Sequence, residues 1–376
     1  MKGIVVFGFI IILMGAVIFL THQQSRSTIT PSAPSTTSAL TSQNEVAPMT
    51  VVATGLDTPW AIAFLPDQSM LVTERKGMVR RIDTNGVLDS TPVATLSQVK
   101  KIGEGGLLGI TTHPDFENNK YVYLYYTYSS NDNNTLNRVV RMTYQNNTLT
   151  DEKIIIDKIP GSSNHNGGRI KFGLDGFLYI GTGDAENPSQ AQDTKTLGGK
   201  ILRVTDAGDI PSDNPFHNPV YSYGHRNVQG LAWDKAGRLW ATEHGRSGIQ
   251  SGLDEINQVE MGKNYGWPII QGDETNPGME TAKKNSGDTT WAPAGAVTVG
   301  NFLFFGGLRG QTLYEAGIGN DGVRELKEHF KGEFGRIREV VLGPDGMLYI
   351  TTSNKDGRGI PKNGDDKVIR INTSQF

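Results

Sequence analysis

The sequence predicts an all-β fold, a six-bladed β-propeller, on three observations. One short motif recurs six times, at intervals of roughly 50 residues. Glycine is abundant, with 46 of 376 residues, and it punctuates short apolar runs. These runs are rich in β-branched and aromatic residues, which suit strands. A repeat of this length with about four strands per copy is typical of a propeller blade. A large β-sandwich or barrel is the alternative, but it gives no reason for sixfold repetition.

Each copy of the motif joins an apolar strand, a turn resembling Pro-Asp-Gly, and a second strand that usually contains Leu-Tyr or Leu-Trp. The turn residues supply the backbone angles of a tight hairpin. The six copies occupy 61–75, 109–127, 169–184, 230–245, 295–307 and 339–354. Propellers bind ligands at the central channel, on the loops of one face. Residues that border different copies are therefore expected to meet on one axis.

Two segments precede the repeats. In residues 1–22, Lys2 is followed by an unbroken apolar run over 3–20, at the lower edge of the length that spans a membrane. We interpret this as an uncleaved signal-anchor with the bulk outside; a cleaved signal peptide is the alternative, but no A-x-A-like site follows. Residues 23–48 are rich in Ser, Thr and Pro and predict a disordered tether. The folded propeller domain is then expected at 49–376.

Composition excludes several function classes. The formal net charge is −3, so there is no basic excess of the kind that nucleic-acid binding requires. The absence of cysteine excludes disulfides, thiolate metal sites and a cysteine nucleophile. No P-loop, G-x-S-x-G elbow or dinucleotide fingerprint occurs.

The third copy is flanked by a candidate catalytic pair. His165 lies in the turn NHNGGR before the copy, and Asp184 ends it in GTGD. If the two strands pair antiparallel, their outer ends come together, and the carboxylate can orient the imidazole and stabilise its protonated form. Arg226 in YGHRN is a candidate clamp for an anion or oxyanion. Solvated loop side chains are the structural alternative.

Further cations indicate an anion site. EFGRIRE places Arg336 and Arg338 two residues apart, which puts them on one face of a strand. We expect two guanidinium groups on one face to repel unless something anionic lies between them. The pair therefore predicts a phosphate or polycarboxylate site, with an exposed edge as the alternative. Arg309 in GGLRG is another cation in a glycine-rich loop.

The stretch 242–268 is a candidate calcium site. It is glycine-rich and offers backbone carbonyls, with Asp254 and Glu255 nearby. Calcium prefers such oxygen ligands, although no EF-hand spacing is present.

Taken together, the motifs resemble the soluble quinoprotein glucose dehydrogenase family, especially its aldose sugar dehydrogenase branch. The resemblance covers nearly all of 49–376. It is carried, in order, by LDTPWAIAFLPD, GEGGLLGITTHPDF, NHNGGRIKFGLDGFLYIGTGD, LGGKILRV, YGHRNVQGLAW, TEHGRSG with DEIN, GKNYGWP and GRIREVVLGPDGMLYITTSN. It implies a six-bladed propeller that binds pyrroloquinoline quinone (PQQ) and calcium and oxidises aldose sugars at the anomeric carbon to aldonolactones.

The resemblance also implies a catalytic role for three residues. His165 is expected to be the general base that takes the sugar hydroxyl proton while hydride passes to PQQ. Asp184 is expected to be its carboxylate partner, and Arg226 the cation near the quinone oxygens that accept charge.

Cofactor and metal contacts follow from the same resemblance. A clamp on the PQQ carboxylates is implied for Arg309, Arg336 and Arg338. The backbone carbonyls of Gly245 and Arg246 are expected to hold the calcium that bridges PQQ. The residues expected to line the cofactor pocket are Glu104, Asn164, Gln192 and Asn227.

Three departures from the family bear on substrate and metal. Relatives usually have Gly-Pro where this chain has Gly245-Arg246, and lysine is common where Arg309 stands. The substrate loops are short and unlike those of the glucose-specific branch, which favours broad acceptance of aldoses. The expected partners are an aldose, an external electron acceptor (quinone, cytochrome or dye) and the membrane through the N-terminal helix, with no nucleic acid.

Two other functions were weighed against this one. A catalytically silent propeller that binds a carbohydrate or protein partner at the cell surface is the main alternative, and the complete catalytic set disfavours it. Lactonase-type hydrolysis requires a carboxylate-rich calcium centre, which the sequence does not show. We expect a membrane-anchored protein whose catalytic domain lies outside the cytoplasm, periplasmic or at the cell surface, or a secreted one if the N-terminal segment is cleaved.

Overall fold

The computed structural model describes residues 47–376. The signal-anchor predicted at 1–22, and the tether predicted at 23–48 apart from its last two residues, therefore lie outside the described residues. Within 47–376, no helix is long and apolar enough to cross a membrane.

Six four-stranded antiparallel sheets make up the described chain, which confirms the six-bladed β-propeller. The first described strand, β1 (Met49–Ala53), belongs to the last blade. The first three blades are as follows. Blade 1 has β2 (Pro59–Phe64), β3 (Met70–Glu74), β4 (Met78–Ile82) and β5 (Ala94–Thr95); blade 2 has β6 (Leu107–Thr112), the short helix α1 (Phe116–Asn119), β7 (Tyr121–Ser129), β8 (Thr135–Gln145) and β9 (Thr148–Pro160); blade 3 has β10 (Ile170–Phe172), β11 (Leu178–Gly181), a 3₁₀ helix (Pro188–Gln192), β12 (Lys200–Val204) and β13 (Val220–Tyr223).

The remaining blades repeat this order, and the last one closes the ring. Blade 4 has β14 (Val228–Trp233), β15 (Leu239–Glu243), β16 (Glu255–Val259) and β17 (Lys284–Asn285); blade 5 has β18 (Pro293–Val299), β19 (Phe302–Gly307), β20 (Thr312–Gly319) and β21 (Gly322–His329); blade 6 has β22 (Ile337–Leu342), β23 (Leu348–Thr352) and β24 (Val368–Ile371), followed by a 3₁₀ helix (Thr373–Gln375). The fourth strand of blade 6 is β1, which pairs with β24. The ring is therefore closed by pairing the first described strand with the last.

Each predicted hairpin corresponds to the first two strands of one blade. The first strands of neighbouring blades pack beside one another and surround the central axis. The core lies between the sheets, and each blade contributes fully buried side chains such as Leu71, Tyr123, Leu202, Trp240, Phe305 and Ile350. The turn of each hairpin lies at one end of the propeller, so the loop before its first strand and the loop after its second strand meet at the other end.

Candidate active site

A cleft of about 410 Å³ opens at the end of the propeller where these loops meet. Every blade contributes to its lining. One lining residue from each, in blade order, is Arg75, Glu104, His165, His244, Arg309 and Arg336. The prediction that residues bordering different repeats converge on one axis is confirmed by this lining.

The cleft contains a histidine paired with a buried aspartate. Nδ1 of His165 lies 2.8 Å from Oδ1 of Asp184, whose side chain is almost completely buried. Because an ionised carboxylate only accepts hydrogen bonds, Nδ1 carries the hydrogen and Nε2 is left as the proton acceptor. His165 itself lines the cleft, so Nε2 is the ring nitrogen available to a ligand there. The hairpin of β10 and β11 thus brings its two flanking residues together as the sequence suggested.

The backbone of His165 is held in an uncommon conformation. Its φ is 56°, in the left-handed region that non-glycine residues seldom adopt. Its N–H donates to Oε2 of Glu104 at 3.0 Å, and its carbonyl accepts from the N–H of Ala185 at 3.1 Å. Strain of this kind persists only where surrounding contacts fix it, and it clusters at functional sites.

Glu104 links His165 to the rim of the cleft. Its carboxylate is bound by the guanidinium of Arg358, which also donates to Oδ1 of Asn164 at 2.8 Å. Burial opposes ionisation of Glu104, but the positive charge that His244 carries at low pH, the guanidinium of Arg358 and the N–H of His165 outweigh it and lower its pKa to about 2. Glu104 is therefore an ionised acceptor at neutral pH.

Arg226 lies behind the cleft wall and is buried. It borders a much smaller neighbouring cavity together with His244 and Gly245. Its Nη2 donates to Oγ of Ser247 at 2.7 Å, and its guanidinium carbon lies 5.2 Å from the centre of the Trp267 ring. Its Nε is buried without a hydrogen-bond partner among residues 47–376.

Arg336 and Arg338 both line the cleft and are both buried. Both side chains reach the cleft, but this does not follow from the alternation of side chains along a regular strand. Arg336 precedes β22, and Arg338 is the extra residue of a β-bulge, since Ile337 pairs with Thr352 and Glu339 pairs with Thr351. A bulge re-aims side chains, and here it directs Arg338 into the cleft.

The charges of these two arginines are balanced differently. Nε of Arg336 donates to Oδ2 of Asp356 at 2.8 Å, so a protein carboxylate already offsets this guanidinium. The expectation that only an external anion could relieve the repulsion between the two arginines was wrong for this reason. Arg338 instead donates to the neutral amide oxygen of Gln229. Burial and the charges of Arg336 and Arg75 outweigh the opposing charge of Asp356 and lower the pKa of Arg338 to about 9.

Gly245 and Arg246 also line the cleft. The Gly245 N–H donates to Oδ1 of Asp254 at 2.8 Å, so the buried aspartate fixes this turn. The Arg246 carbonyl accepts one hydrogen bond, from Gly252 at 3.3 Å, and keeps a second lone pair. No cluster of three or more histidine or acidic side chains able to hold a metal occurs in the described part of the chain. A cation at this turn would therefore depend on backbone oxygens.

The other candidates fall into two groups. Asn164 and Arg309 line the cleft, and Nη1 of Arg309 lies 3.3 Å from Oγ of Ser251. Gln192 and Asn227 lie behind the lining. Gln192 donates to the carbonyl of Trp267 at 2.7 Å, and Oδ1 of Asn227 accepts from Gly167 at 2.9 Å.

Among the polar side chains of the cleft that sequence reasoning did not single out are Arg75, Gln229, Asp356 and Arg358. For one of them a signal was present. Arg75 directly follows the second strand of the first repeat, close to the position that Asp184 occupies in the third. Arg358 and Asp356 lie in the long loop between β23 and β24, where position in the repeat gives no guide to direction.

Comparisons with known proteins identify the family of the chain. The family model described as Glucose / Sorbosone dehydrogenase matches residues 56–362. A protein of Escherichia coli K12 named aldose sugar dehydrogenase YliI is 34% identical over 336 residues, which cover 80% of this chain and 89% of that protein.

Solved structures show the same similarity. The PQQ-bound form of aldose sugar dehydrogenase from Streptomyces coelicolor superposes with a TM-score of 0.79 at 39% identity, covering 86% of this chain and 97% of that one. A putative oxidoreductase (glucose dehydrogenase) from Thermus thermophilus superposes with a TM-score of 0.81 at 42% identity, covering 86% and 98%.

Proposed function

The chain belongs to the glucose/sorbosone dehydrogenase family, and we propose that it oxidises aldose sugars at the anomeric carbon to aldonolactones. In this proposal PQQ, when bound in the cleft, would supply the hydride acceptor, and the turn at Gly245 and Arg246 would hold a calcium ion. The observation that carries the proposal is the His165–Asp184 pair, which presents an imidazole nitrogen to a cleft rich in arginine. A positioned base beside a site for an anionic cofactor suits hydride transfer from an alcohol.

The cleft residues fit PQQ, a flat polycarboxylate. Six arginines and four carboxylates line the cleft, so it carries an excess of positive charge. Arg338 has no carboxylate partner among residues 47–376, and its buried Nε has no hydrogen-bond partner there. Arginine binds carboxylates through paired, charge-assisted hydrogen bonds. We assign Arg309, Arg336 and Arg338 to the PQQ carboxylates. Arg226 lies just behind the cleft wall, and we propose that its positive charge acts on the quinone oxygens from there.

The backbone turn at Gly245 and Arg246 fits calcium. Its donors are carbonyl oxygens, the hard ligands that calcium prefers. Arginine at position 246 is compatible with this role, because its side chain bonds Asp288 at 3.2 Å and so leaves its carbonyl to act separately. Calcium here would also offset negative charge on the cofactor.

Oxidation at the anomeric carbon breaks one C–H bond and one O–H bond. PQQ, when bound, supplies the acceptor for the hydride and thus for the electron pair. His165 takes the hydroxyl proton at Nε2 while its Nδ1–H stays bonded to Asp184. The buried carboxylate holds the ring in this tautomer and stabilises the imidazolium that forms.

Side chains at the rim are suited to hold the sugar. Glu104 is ionised, and Asn164 and Arg358 lie beside it, so this rim offers both acceptors and donors to sugar hydroxyls. We propose that the enzyme accepts a range of aldoses, because its substrate loops are short and differ from those of the glucose-specific branch.

We also propose that the enzyme works outside the cytoplasm and passes its electrons to an external acceptor. The support is the apolar run at 3–20 behind Lys2. If this run is an anchor, the full-length protein will sediment with membranes and resist release by salt. A soluble form beginning near Thr21 would instead indicate cleavage.

Reconstitution tests the function directly. The full-length protein is incubated with PQQ and calcium, and dye reduction is followed with several aldoses, while PQQ binding is followed separately by absorbance. We expect turnover that requires both additions. Binding of PQQ without turnover on any aldose would favour the catalytically silent propeller.

A further inference from the structure

A tryptophan connects the two halves of the proposed catalytic machinery. Nε1 of Trp267 donates to Oδ2 of Asp184 at 2.8 Å, and its ring lies under the guanidinium of Arg226. We propose that Trp267 is a positioning residue, which fixes Asp184 and through it sets the orientation and basicity of His165. This inference rests on the proposed function.

The hydrogen bonds of Asp184 show why Trp267 matters. Oδ1 accepts from Nδ1 of His165 and from the N–H of Glu186 at 2.9 Å. Oδ2 accepts from Trp267, and no second donor reaches it within residues 47–376. A buried carboxylate needs such partners, because an unsatisfied charged oxygen is costly to bury. Without the indole N–H, the carboxylate could rotate and carry the imidazole with it.

Trp267 is itself held from several sides. Its N–H donates to the carbonyl of Gly224 at 2.9 Å, and its carbonyl accepts from Nε2 of Gln192 at 2.7 Å. Gln192 also exchanges two side-chain hydrogen bonds with Asn264, at 3.0 and 2.8 Å. The position of Gln192 behind the cleft is explained by this role: it supports the turn that presents Trp267.

Removal of the indole N–H has a predictable electrostatic effect. A donor to a carboxylate stabilises its negative charge and reduces its basicity. When the donor is lost, the ionised Asp184 stabilises the imidazolium of His165 more strongly. The pKa of His165 should then rise, and the acid limb of the activity profile should move to higher pH.

The test compares two Trp→Phe variants of the full-length protein. Trp267→Phe removes the N–H but keeps an aromatic ring under Arg226. Trp240→Phe is the control, because Trp240 also donates its indole N–H to a carboxylate, Oδ2 of Asp234 at 3.0 Å, although Trp240 is fully buried and Trp267 only partly. That pair lies at the β14–β15 turn, at the end of the hairpin away from the cleft.

For the reconstituted enzymes we expect a split between kinetic constants. In Trp267→Phe, kcat should fall roughly tenfold to a hundredfold, less than for loss of the base itself. KM for the sugar and the PQQ affinity should stay near their original values. Trp240→Phe should lose thermal stability and keep kcat. A loss of stability without a fall in kcat in both variants would overturn the proposal.

A second readout needs neither cofactor nor turnover. The ring of His165 is titrated by NMR in histidine-labelled, cofactor-free protein, with His165→Ala for assignment. Its titration midpoint should rise in Trp267→Phe and stay unchanged in Trp240→Phe, and an unchanged midpoint in both overturns the proposal.

If Trp267→Phe does not fold, benzothienylalanine at 267 keeps the ring shape and lacks the N–H. Absence of turnover in the original protein would refute the proposed function, while this titration would still decide the role of Trp267.

Discussion

Two histidines from neighbouring blades line the same cleft, and their surroundings differ in one respect. His165 of blade 3 has a buried carboxylate on Nδ1. His244 of blade 4 has none, and its buried Nε2 has no hydrogen-bond partner in the described chain. Burial, with Arg226 and Arg338 nearby, outweighs the opposing charge of Glu104 and lowers the pKa of His244 to about 3. His244 is therefore neutral at physiological pH, whereas His165 has a carboxylate beside Nδ1 that can stabilise an imidazolium formed during a reaction.

The arginines show the same contrast. Arg336 is paired with Asp356, and Arg338 has only a neutral amide. A carboxylate inside the protein offsets the charge of Arg336. Arg338 has no such partner, so its charge is left for a ligand to balance. The comparison teaches that the carboxylates that pair with lining residues, Asp184 and Asp356, determine what those residues can do.

The largest effect is expected from removing the base. His165→Ala should leave PQQ bound but reduce kcat by two or more orders of magnitude, roughly the contribution of a general base. Steady-state dye reduction and PQQ absorbance measure the two quantities. Excess PQQ should not restore turnover. If kcat stayed near its original value, His165 would not be the base, and the contrast with His244 would lose its meaning.

The next effect concerns the arginine without a carboxylate. Arg338→Ala should weaken PQQ binding by roughly 2–5 kcal/mol, because the cofactor carboxylate is left without its partner in a desolvated site. Saturating PQQ should restore much of the turnover, since Arg338 does not act on the sugar. Arg336→Ala should weaken PQQ binding by a similar amount. The double variant Arg336→Ala with Asp356→Ala should weaken PQQ binding less, because it leaves no unpaired buried carboxylate to repel PQQ. Titration of PQQ into all three variants decides this, and failure of rescue by PQQ in all of them would contradict a clamp.

A smaller effect concerns stability and pH. The pKa of His244 is lowered from 6.5 to about 3 in the folded protein, so the unfolded chain binds more protons between these values. The free energy of unfolding should therefore fall as pH falls through this window, by up to about 1.4 kcal/mol per pH unit from this residue. His244→Gln should flatten that dependence in denaturant titrations at pH 6.5 and pH 5. An equal slope in both proteins would mean that His244 is protonated in the fold.

The smallest effect is expected at the rim. The side chain of Arg358 is 53% exposed, and ion pairs of this kind contribute about 0–1 kcal/mol. Arg358→Ala should therefore change kcat/KM by less than about fivefold. The pKa of Glu104 should rise, since Arg358 no longer opposes the effect of burial. A hundredfold loss of kcat/KM would instead indicate that Arg358 contacts the reacting sugar.

Local chemistry explains why the fold was predictable. The six hairpins carry their turn residues and alternating strands within short stretches, so each could be located without its neighbours. Two of the outermost strands, β5 and β17, could not be located this way, because they have two residues each and depend on pairing with a neighbouring strand.

In the candidate site, too, contacts within one hairpin could be predicted from the sequence, and contacts between distant segments could not. His165 and Asp184 could be paired because one hairpin joins them. The pairing of Arg358 with Glu104 spans 254 residues, and no local pattern indicates it. The side chain of Arg338 points into the cleft because of a β-bulge. Gln192 lies behind the cleft because its side chain, on the 3₁₀ helix, is hydrogen-bonded to Asn264. These features arise from tertiary contacts that propensity and periodicity do not describe.

The pairing of β1 with β24 has a consequence for biosynthesis. β1 is made before any other strand of the domain, yet its partner is the last strand to leave the ribosome, and contacts such as Thr58 with Asp366 span 308 residues. Closing so long a loop is slow and unfavourable until the contacts form. The nascent chain therefore keeps an unpaired strand edge throughout elongation, which is a point of risk for aggregation and a natural site for chaperone binding. Because the cleft takes residues from every blade, activity should appear only when this final pairing is made.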